Sequence, residues 1–344
     1  MYKNHIRVFL IAVACLIAAV FIQVQKQATS VSDISHWSIV GDEHKILWQK
    51  KVPCLSISTH LINAAVAVSQ QAAVFHQSCI LESSLISLNL LTGKQEWSVP
   101  AFSSFQILGV KDGYINLEGD TTLVKYSLAG DVLWHSKKFP SHSVREAFIK
   151  NNLIYLPNSN VYVPNGNGIQ VISADTGQDI KRIDDETFLT EFENLYVSKE
   201  DNKIKILDTQ SDRSIVTALK SYQGIIAVDF LDDILLVHFG RSNITAYNIN
   251  TGDILWEISG EFKSAPLLLE DHLYTYNNSD QLEIYNPKTG MLLKSIQLKS
   301  SGSQRTSVNL AGYGNKIVIC FYGVYEIIAI DIHRTFAWIN QNGS

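Results

Sequence analysis

The chain is poor in cysteine, poor in charge and almost free of methionine. Four cysteines in 344 residues, at positions 15, 54, 79 and 320, are too few for a disulfide scaffold. None stands in a Cys-x-x-Cys pair or in a Cys/His cluster with zinc spacing. Cys54 and Cys79 could fall on neighbouring strands and pair in an oxidising compartment, or serve with Cys320 as small buried hydrophobes. Charged residues make up only 18%, and 28 basic against 33 acidic side chains leave a net charge of −5. That balance gives no clustered basic footprint for nucleic acid. Two Met stand against 14 Tyr, 14 Phe and 6 Trp, which leans towards strands. A hydrophobic fraction of 46% excludes a mainly disordered chain. No Gly-x-Ser-x-Gly elbow and no His-Glu-x-x-His pair is present. Asn165-Gly-Asn-Gly168 lacks the third Gly, the Lys and the following helix of a phosphate loop, and reads as a hairpin turn.

The longest apolar run is at the start. Val8 to Ile22 carries no charge and follows Lys3 and Arg7. Extended to Ile6 and Val24, it spans 19 positions, roughly 28 Å as a helix, which just reaches across a hydrocarbon core. Three outcomes are open: an uncleaved anchor, cleavage after Ser30, and lipidation at Cys15. Each places the rest of the chain outside the cytoplasm, because Lys3 and Arg7 stay inside. Residues 1–30 are thus expected to form an N-terminal hydrophobic helix, as anchor or signal, and residues 31–344 the folded body.

A repeat fills that body. An alternating strand leads into a turn with Asn, Asp or Ser, then Thr-Gly, then a second strand bearing Trp. The clearest copies are Leu85-Ile-Ser-Leu-Asn-Leu-Leu-Thr-Gly-Lys-Gln-Glu-Trp97 and Ile244-Thr-Ala-Tyr-Asn-Ile-Asn-Thr-Gly-Asp-Ile-Leu-Trp256. Leu123 to Trp134 shortens the turn by one residue, and Ile46-Leu-Trp48 supplies only a second half. Weaker copies run through Lys181, Val216 and Lys294, and Ile327 to Trp338 closes the series. Period-2 alternation is that of a strand, and the polar residue before Thr-Gly supplies a side-chain cap and a positive φ. Gly93, Gly130, Gly177, Gly252 and Gly290 are the turn glycines on this reading. Asp175, Asp208 and Asp331 take the turn role that Asn89, Asn248 and Asn286 take elsewhere, which argues for turn hydrogen bonding over acid–base work. Trp48, Trp97, Trp134, Trp256 and Trp338 are expected to dock each unit on its neighbour.

The Trp-equivalent positions recur every 41 residues or so, the period of a β-propeller blade. Eight positions enclose seven intervals. The fold expected is therefore all-β, a propeller of seven four-stranded blades, with the N-terminal strand adding to ring closure. Eight blades stay open if residues 31–52 share a blade with the last strands.

The repeat resembles the pyrroloquinoline-quinone (PQQ)-type propeller repeat, roughly Leu-x-Ala-Leu-Asp-x-x-Thr-Gly-x-x-x-Trp. Its best-known branches are the quinoprotein alcohol dehydrogenases and the propeller lipoprotein of the bacterial outer-membrane β-barrel assembly machinery. Size, export signal and the lack of extra domains resemble the second branch. That resemblance implies a non-catalytic scaffold without cofactor, binding other envelope or membrane proteins and tethered to the membrane through its first segment. The first branch would imply a vicinal Cys-Cys beside the cofactor, and no two cysteines here are adjacent. A quinoprotein-like enzyme or a ligand-sensing module using the central funnel is the alternative. Asp184-Asp-Glu186 with Glu191 and Glu193 is the densest charge cluster, read as a solvated loop or as a docking patch for a basic partner.

Overall fold

The computed structural model describes residues 32–33, 37–40, 44–52, 66–78, 83–101, 104–110, 112–118, 122–138, 147–159, 167–183, 188–200, 203–218, 225–239, 242–299, 307–322 and 326–332. All regular elements among them are strands, arranged in seven antiparallel sheets. The expected helix over Val8–Ile22 lies outside the described residues, as do Cys15, Cys54, Cys79 and Trp338. Among the described residues no helix is long and apolar enough to cross a membrane.

Three short strands come first: β1 (Ser32–Asp33), β2 (Ser38–Ile39) and β3 (Lys45–Lys51). Blade 1 follows with β4 (Val66–Val68), β5 (Ala72–Ser78), β6 (Ser83–Asn89) and β7 (Gln95–Pro100). Blade 2 holds β8 (Ser104–Val110), β9 (Gly113–Glu118), β10 (Thr122–Ser127) and β11 (Val132–His135). Blade 3 holds β12 (Phe148–Lys150), β13 (Leu153–Ser159), β14 (Asn167–Ser173) and β15 (Asp179–Ile183). Blade 4 holds β16 (Phe188–Phe192), β17 (Leu195–Glu200), β18 (Lys203–Asp208) and β19 (Arg213–Ala218). Blade 5 holds β20 (Ile225–Leu231), β21 (Ile234–Phe239), β22 (Asn243–Asn248) and β23 (Ile254–Ser259). Blade 6 holds β24 (Leu267–Leu269), β25 (His272–Tyr276), β26 (Gln281–Tyr285) and β27 (Leu292–Lys299). Blade 7 begins with β28 (Ser307–Tyr313), β29 (Lys316–Tyr322) and β30 (Glu326–Asp331).

Middle strands lie between neighbouring blades on both faces, so they read as unbroken apolar runs. β21 is buried at every position, and β10 and β22 are buried throughout their centres. Outer strands alternate exposed and half-buried, as in β7 and β19. Innermost strands of neighbouring blades stand side by side where β4 meets β8, β8 meets β12, β16 meets β20 and β24 meets β28, and β28 packs next to β4, which closes the ring.

Blade 7 takes its fourth strand from the other end of the chain. β3 pairs antiparallel with β30, setting Trp48 opposite Ala329. The half-repeat Ile46-Leu-Trp48 thus completes the half-repeat Ile327-Ile-Ala-Ile-Asp331. Residues near 31–52 do share a blade with the last strands, yet the blades number seven and not eight, because that sharing supplies the seventh blade's missing strand. Both edges of β30 are filled, by β29 and β3, and residues 333–338 of the last repeat lie outside the described residues. Trp37 to Trp48 do not form a hairpin. β2 leaves to pair with β27 of blade 6, and β1 pairs with β3 on the outside of blade 7.

Trp37 sits where these paths part. It is 3% exposed and stacks on Phe321 with ring centroids 4.3 Å apart. Its Nε1 donates to buried Glu326 at 2.7 Å, and its backbone N–H donates to Gln49 Oε1 at 3.1 Å. Its neighbours come from both blade 6 and blade 7, including Tyr276, Ile296, Ile319 and Ile328. Truncating a buried Trp costs about 3–5 kcal/mol. Trp37→Ala should therefore lower equilibrium unfolding free energy by about that amount in a denaturant titration; a loss well under ~1 kcal/mol would show that the first fifty residues do not hold the ring.

Candidate functional site: blade junctions and inner strands

Each turn between the third and fourth strands of a blade is built by its capping residue. Asn89 Oδ1 accepts from the N–H groups of Leu91 and Thr92, both at 3.0 Å, and Gly93 N–H donates to Asn89 O at 2.8 Å. Asn248 and Asn286 repeat the pattern. In blade 3 the cap is Ser173, whose Oγ accepts from Asp175 and Thr176. Asp175 therefore stands two residues past the capping position. Its carboxylate accepts from Asn152 Nδ2 at 2.6 Å and lies 4.0 Å from Lys125 Nζ. Asp208 does cap its turn, and hydrogen bonds from the Ser211 hydroxyl, the Gln210 N–H and Asn194 hold its carboxyl well down, at about 2. Asp331 accepts from Asn315 Nδ2 at 2.7 Å.

The turn glycine and the tryptophan of the preceding blade meet. Gly93 has φ +66°, and a Cβ added there would lie 2.6 Å from Trp48 Cγ. The same is true of Gly130 under Trp97 at 2.8 Å, Gly177 under Trp134 at 2.6 Å and Gly290 under Trp256 at 2.7 Å. In all four cases the indole Nε1 donates to the carbonyl just after the cap. The acceptors are Leu90, Leu128, Ala174 and Pro287, at 2.8, 2.8, 3.3 and 3.1 Å. Trp48 is buried, whereas Trp97, Trp134 and Trp256 are half-buried. A single ring thus covers a glycine, donates one hydrogen bond and spans two blades.

Three junctions differ. Gly252 faces Ile215, whose Cγ2 would lie 2.7 Å from an added Cβ. The sequence pattern pointed to Val216, but Val216 is 52% exposed. The reason is local: the other six blades carry a bulge in their outermost pair at the Trp position, and β18–β19 has none. Lys181 stands at the Trp position of blade 3, exposed, and donates to Glu191 at 2.9 Å. Lys294 holds the same place in blade 6, and there Trp37 fills the groove towards blade 7. Trp37 was missed as a docking residue because it lies outside the repeat; an indole eleven residues before Trp48 was the available signal.

The acidic cluster near 184–193 is described only in part. Residues 184–186 lie outside the described residues. Glu191 accepts from Tyr155 OH at 2.6 Å and from Lys181, while Glu193 sits in the turn beyond β16 with φ +52°.

Inner strands bring one set of titratable groups together. Lys150 Nζ of blade 3 lies 4.1 Å from the centre of the Phe230 ring of blade 5. Burial pushes its amine down to about 8, against the opposing pull of Asp229. His238 is buried, 3.9 Å from Asp229, and neither ring nitrogen has a hydrogen-bond partner among the described residues. Burial lowers its pKa from 6.5. Among the described residues no three His, Cys, Asp or Glu side chains gather as a metal site. Cys320 is buried, which pushes its thiol far up.

Residues 200–334 match the family model described as outer membrane protein assembly factor BamB. The chain has the PQQ-like propeller layout. Solved structures of similar fold include BamB from Moraxella catarrhalis, 16% identical at a TM-score of 0.50 over 89% of this chain and 96% of that one. The computationally designed Ika8 protein is 16% identical at a TM-score of 0.53, covering 79% and 97%. Kluyveromyces lactis Hsv2 is 11% identical at 0.52, covering 74% and 87%. These likenesses show the propeller fold. No curated protein compared with the chain matches it significantly.

Two outcomes test the junctions and the inner strands. Gly93→Ala forces a left-handed residue and an indole clash, together about 2–4 kcal/mol of destabilisation. Gly109→Ala, whose added Cβ meets nothing closer than 3.5 Å, should change unfolding free energy far less. The second concerns pH. A histidine kept neutral by burial makes the unfolded chain bind more protons below 6.5, so stability is full above that value and falls as pH drops below it. Tm should decline between pH 7 and pH 5, and His238→Leu should flatten that slope; an unchanged slope would mean that the imidazole is hydrated.

Proposed function

We propose that this propeller is a non-catalytic assembly scaffold of the bacterial cell envelope, tethered to the membrane by residues 8–22, with residues 31–344 outside the cytoplasm. The observation that carries this reading is the match of residues 200–334 to the BamB assembly-factor model. Use of the repeat's polar side chains supports it. Capping residues are consumed by turn N–H groups, and indole N–H groups by carbonyls of the next blade. Such a repeat makes a rigid ring and leaves specificity to loops and exposed edges. PQQ and calcium would need several fixed cationic, amide and acidic partners in one pocket. Among the described residues Lys150 Nζ lies over the Phe230 ring and buried His238 lies 3.9 Å from Asp229. The quinoprotein reading, which needs a fuller set of partners than these, is kept as the alternative.

The partners proposed are other envelope proteins. Crosslinking in intact cells, followed by mass spectrometry, should recover membrane or outer-membrane assembly proteins with the full chain. A reporter active only outside the cytoplasm, fused after Ser344, should be active. Titration with PQQ and calcium should show no saturable absorbance change. Micromolar binding, about −8 kcal/mol, would put the enzyme reading first. A reporter active only in the cytoplasm would overturn the topology.

A further inference from the structure

The molecule shows twice that its blade edges take an added strand. β1 pairs on the outside of β3, and β2 on the outside of β27, each antiparallel as a fifth strand. Blades 6 and 7 are thereby covered. Among the described residues, the outer strands of blades 1 to 5 pair on one side only.

Four of those five edges carry a guard of the kind that discourages strand pairing. β7 has Glu96 and ends at Pro100, and β15 has Asp179, Lys181 and Arg182. β19 has Arg213 and β23 has Glu257. β11 reads Val132-Leu-Trp-His135, with no acidic or basic residue other than the histidine. Val132 and Leu133 are 49% and 50% exposed, and Leu128 in the adjoining turn is 40% exposed. Its backbone is ready for a partner as well. Ser136 N–H donates inward to Leu123 O, so by antiparallel alternation the N–H and C=O of His135 point outward. The bulge between Lys125 and Tyr126 puts Val132 in the same outward phase.

From these observations we infer that the free edge of β11 docks an extended segment of a partner protein by antiparallel strand addition. The inference deepens the scaffold reading and rests on it. Charge chooses the segment. Asp131 precedes β11 and exposed Lys137 and Lys138 follow it. An antiparallel strand that fits begins with acidic residues, alternates apolar and small polar ones, and ends with basic residues. A second copy of this chain fits less well. Four residues of edge bury far less than the ~1,200 Å² that a stable dimer needs, and each copy brings a net charge of −5.

The test uses the full-length chain in detergent and a fluorescent peptide, Glu-Asp-Thr-Val-Thr-Val-Thr-Lys-Lys. Anisotropy should show saturable binding, and amide exchange over residues 131–138 should slow. The reversed peptide, Lys-Lys-Thr-Val-Thr-Val-Thr-Asp-Glu, should bind roughly tenfold more weakly. His135→Pro removes the outward donor on an edge where proline is tolerated, and should weaken binding by roughly tenfold or more. Leu133→Lys installs the missing guard and should do the same, which keeps the test standing if the proline variant does not fold. Leu255→Lys on β23 should leave binding unchanged. Equal binding by native, His135→Pro and Leu133→Lys proteins, or no change in exchange at 131–138, would overturn the inference. So would a concentration-dependent dimer abolished by Leu133→Lys, which would give the edge to a second copy. Recovery of envelope partners from cells, with no peptide binding, would sink the β11 inference and leave the scaffold reading intact.

Discussion

Four of the ring's seven blade junctions depend on an indole lying flat over a glycine of the next blade. Propeller blades are twisted sheets that must meet face to face without a chain crossover to fix the angle. At four junctions the contact is the same: a tryptophan from the outer strand, a glycine at positive φ, and an Nε1–H donated to the carbonyl after the turn's cap. The glycine answers two demands at once. It supplies the left-handed conformation that the turn needs, and it leaves out the Cβ that would stand inside the indole. This is why Trp and Thr-Gly recur together in the sequence. In blade 1, for example, the glycine receives the indole of the preceding blade, and the Trp of the same hairpin covers the glycine of the next.

That dependence explains what could be read from the sequence and what could not. The strand alternation, the turn and the Trp spacing are local, and they repeat, so fold class and blade number were legible without any long-range information. The strand that completes blade 7 was legible as a half-repeat, because Ile46-Leu-Trp48 has a second half without a first. What failed was register. Val216 follows the repeat count, but the absence of the bulge in β18–β19 hands the inward position to Ile215. Asp175 has the look of a cap, yet Ser173 occupies that place, since a serine hydroxyl caps as an aspartate does and the composition of the turn cannot tell them apart. Trp37 lies outside any repeat. Only the pairing of β2 with a different blade from β3 gives it a groove to fill.

The sites of greatest chemical interest were the least legible. Lys150 and Phe230 come from blades 3 and 5, eighty residues apart, and each looks unremarkable in its strand. His238 is one of ten scattered histidines, and only burial between blades makes it a group whose protonation opposes folding. No local pattern marks such residues, because their environment is made by ring closure and not by their own blade.

Ring closure is also where the chain's two ends become one structure. The last sheet is finished by a strand from the first fifty residues, and Trp37 then ties that segment to Glu326 and Phe321. Without β3, blade 7 would present β30 as an open edge, and Trp48 would no longer cover Gly93 of blade 1. The loss would therefore be felt on both sides of the seam. A junction sealed by chain ends is entropically costly to form, since it brings together residues nearly three hundred positions apart. It compensates by concentrating contacts: the clusters on either side of blade 7 hold Trp48 with Ile327 and Ala329, and Trp37 with Ile319, Ile328 and Ile330. Blade 4 shows the opposite case. It is covalently continuous with both neighbours, meets them through Lys181 and Ile215 without an indole, and is held by smaller clusters. The two largest clusters among the described residues thus flank blade 7, whose fourth strand comes from the far end of the sequence, and the smallest lies between blades 3 and 4.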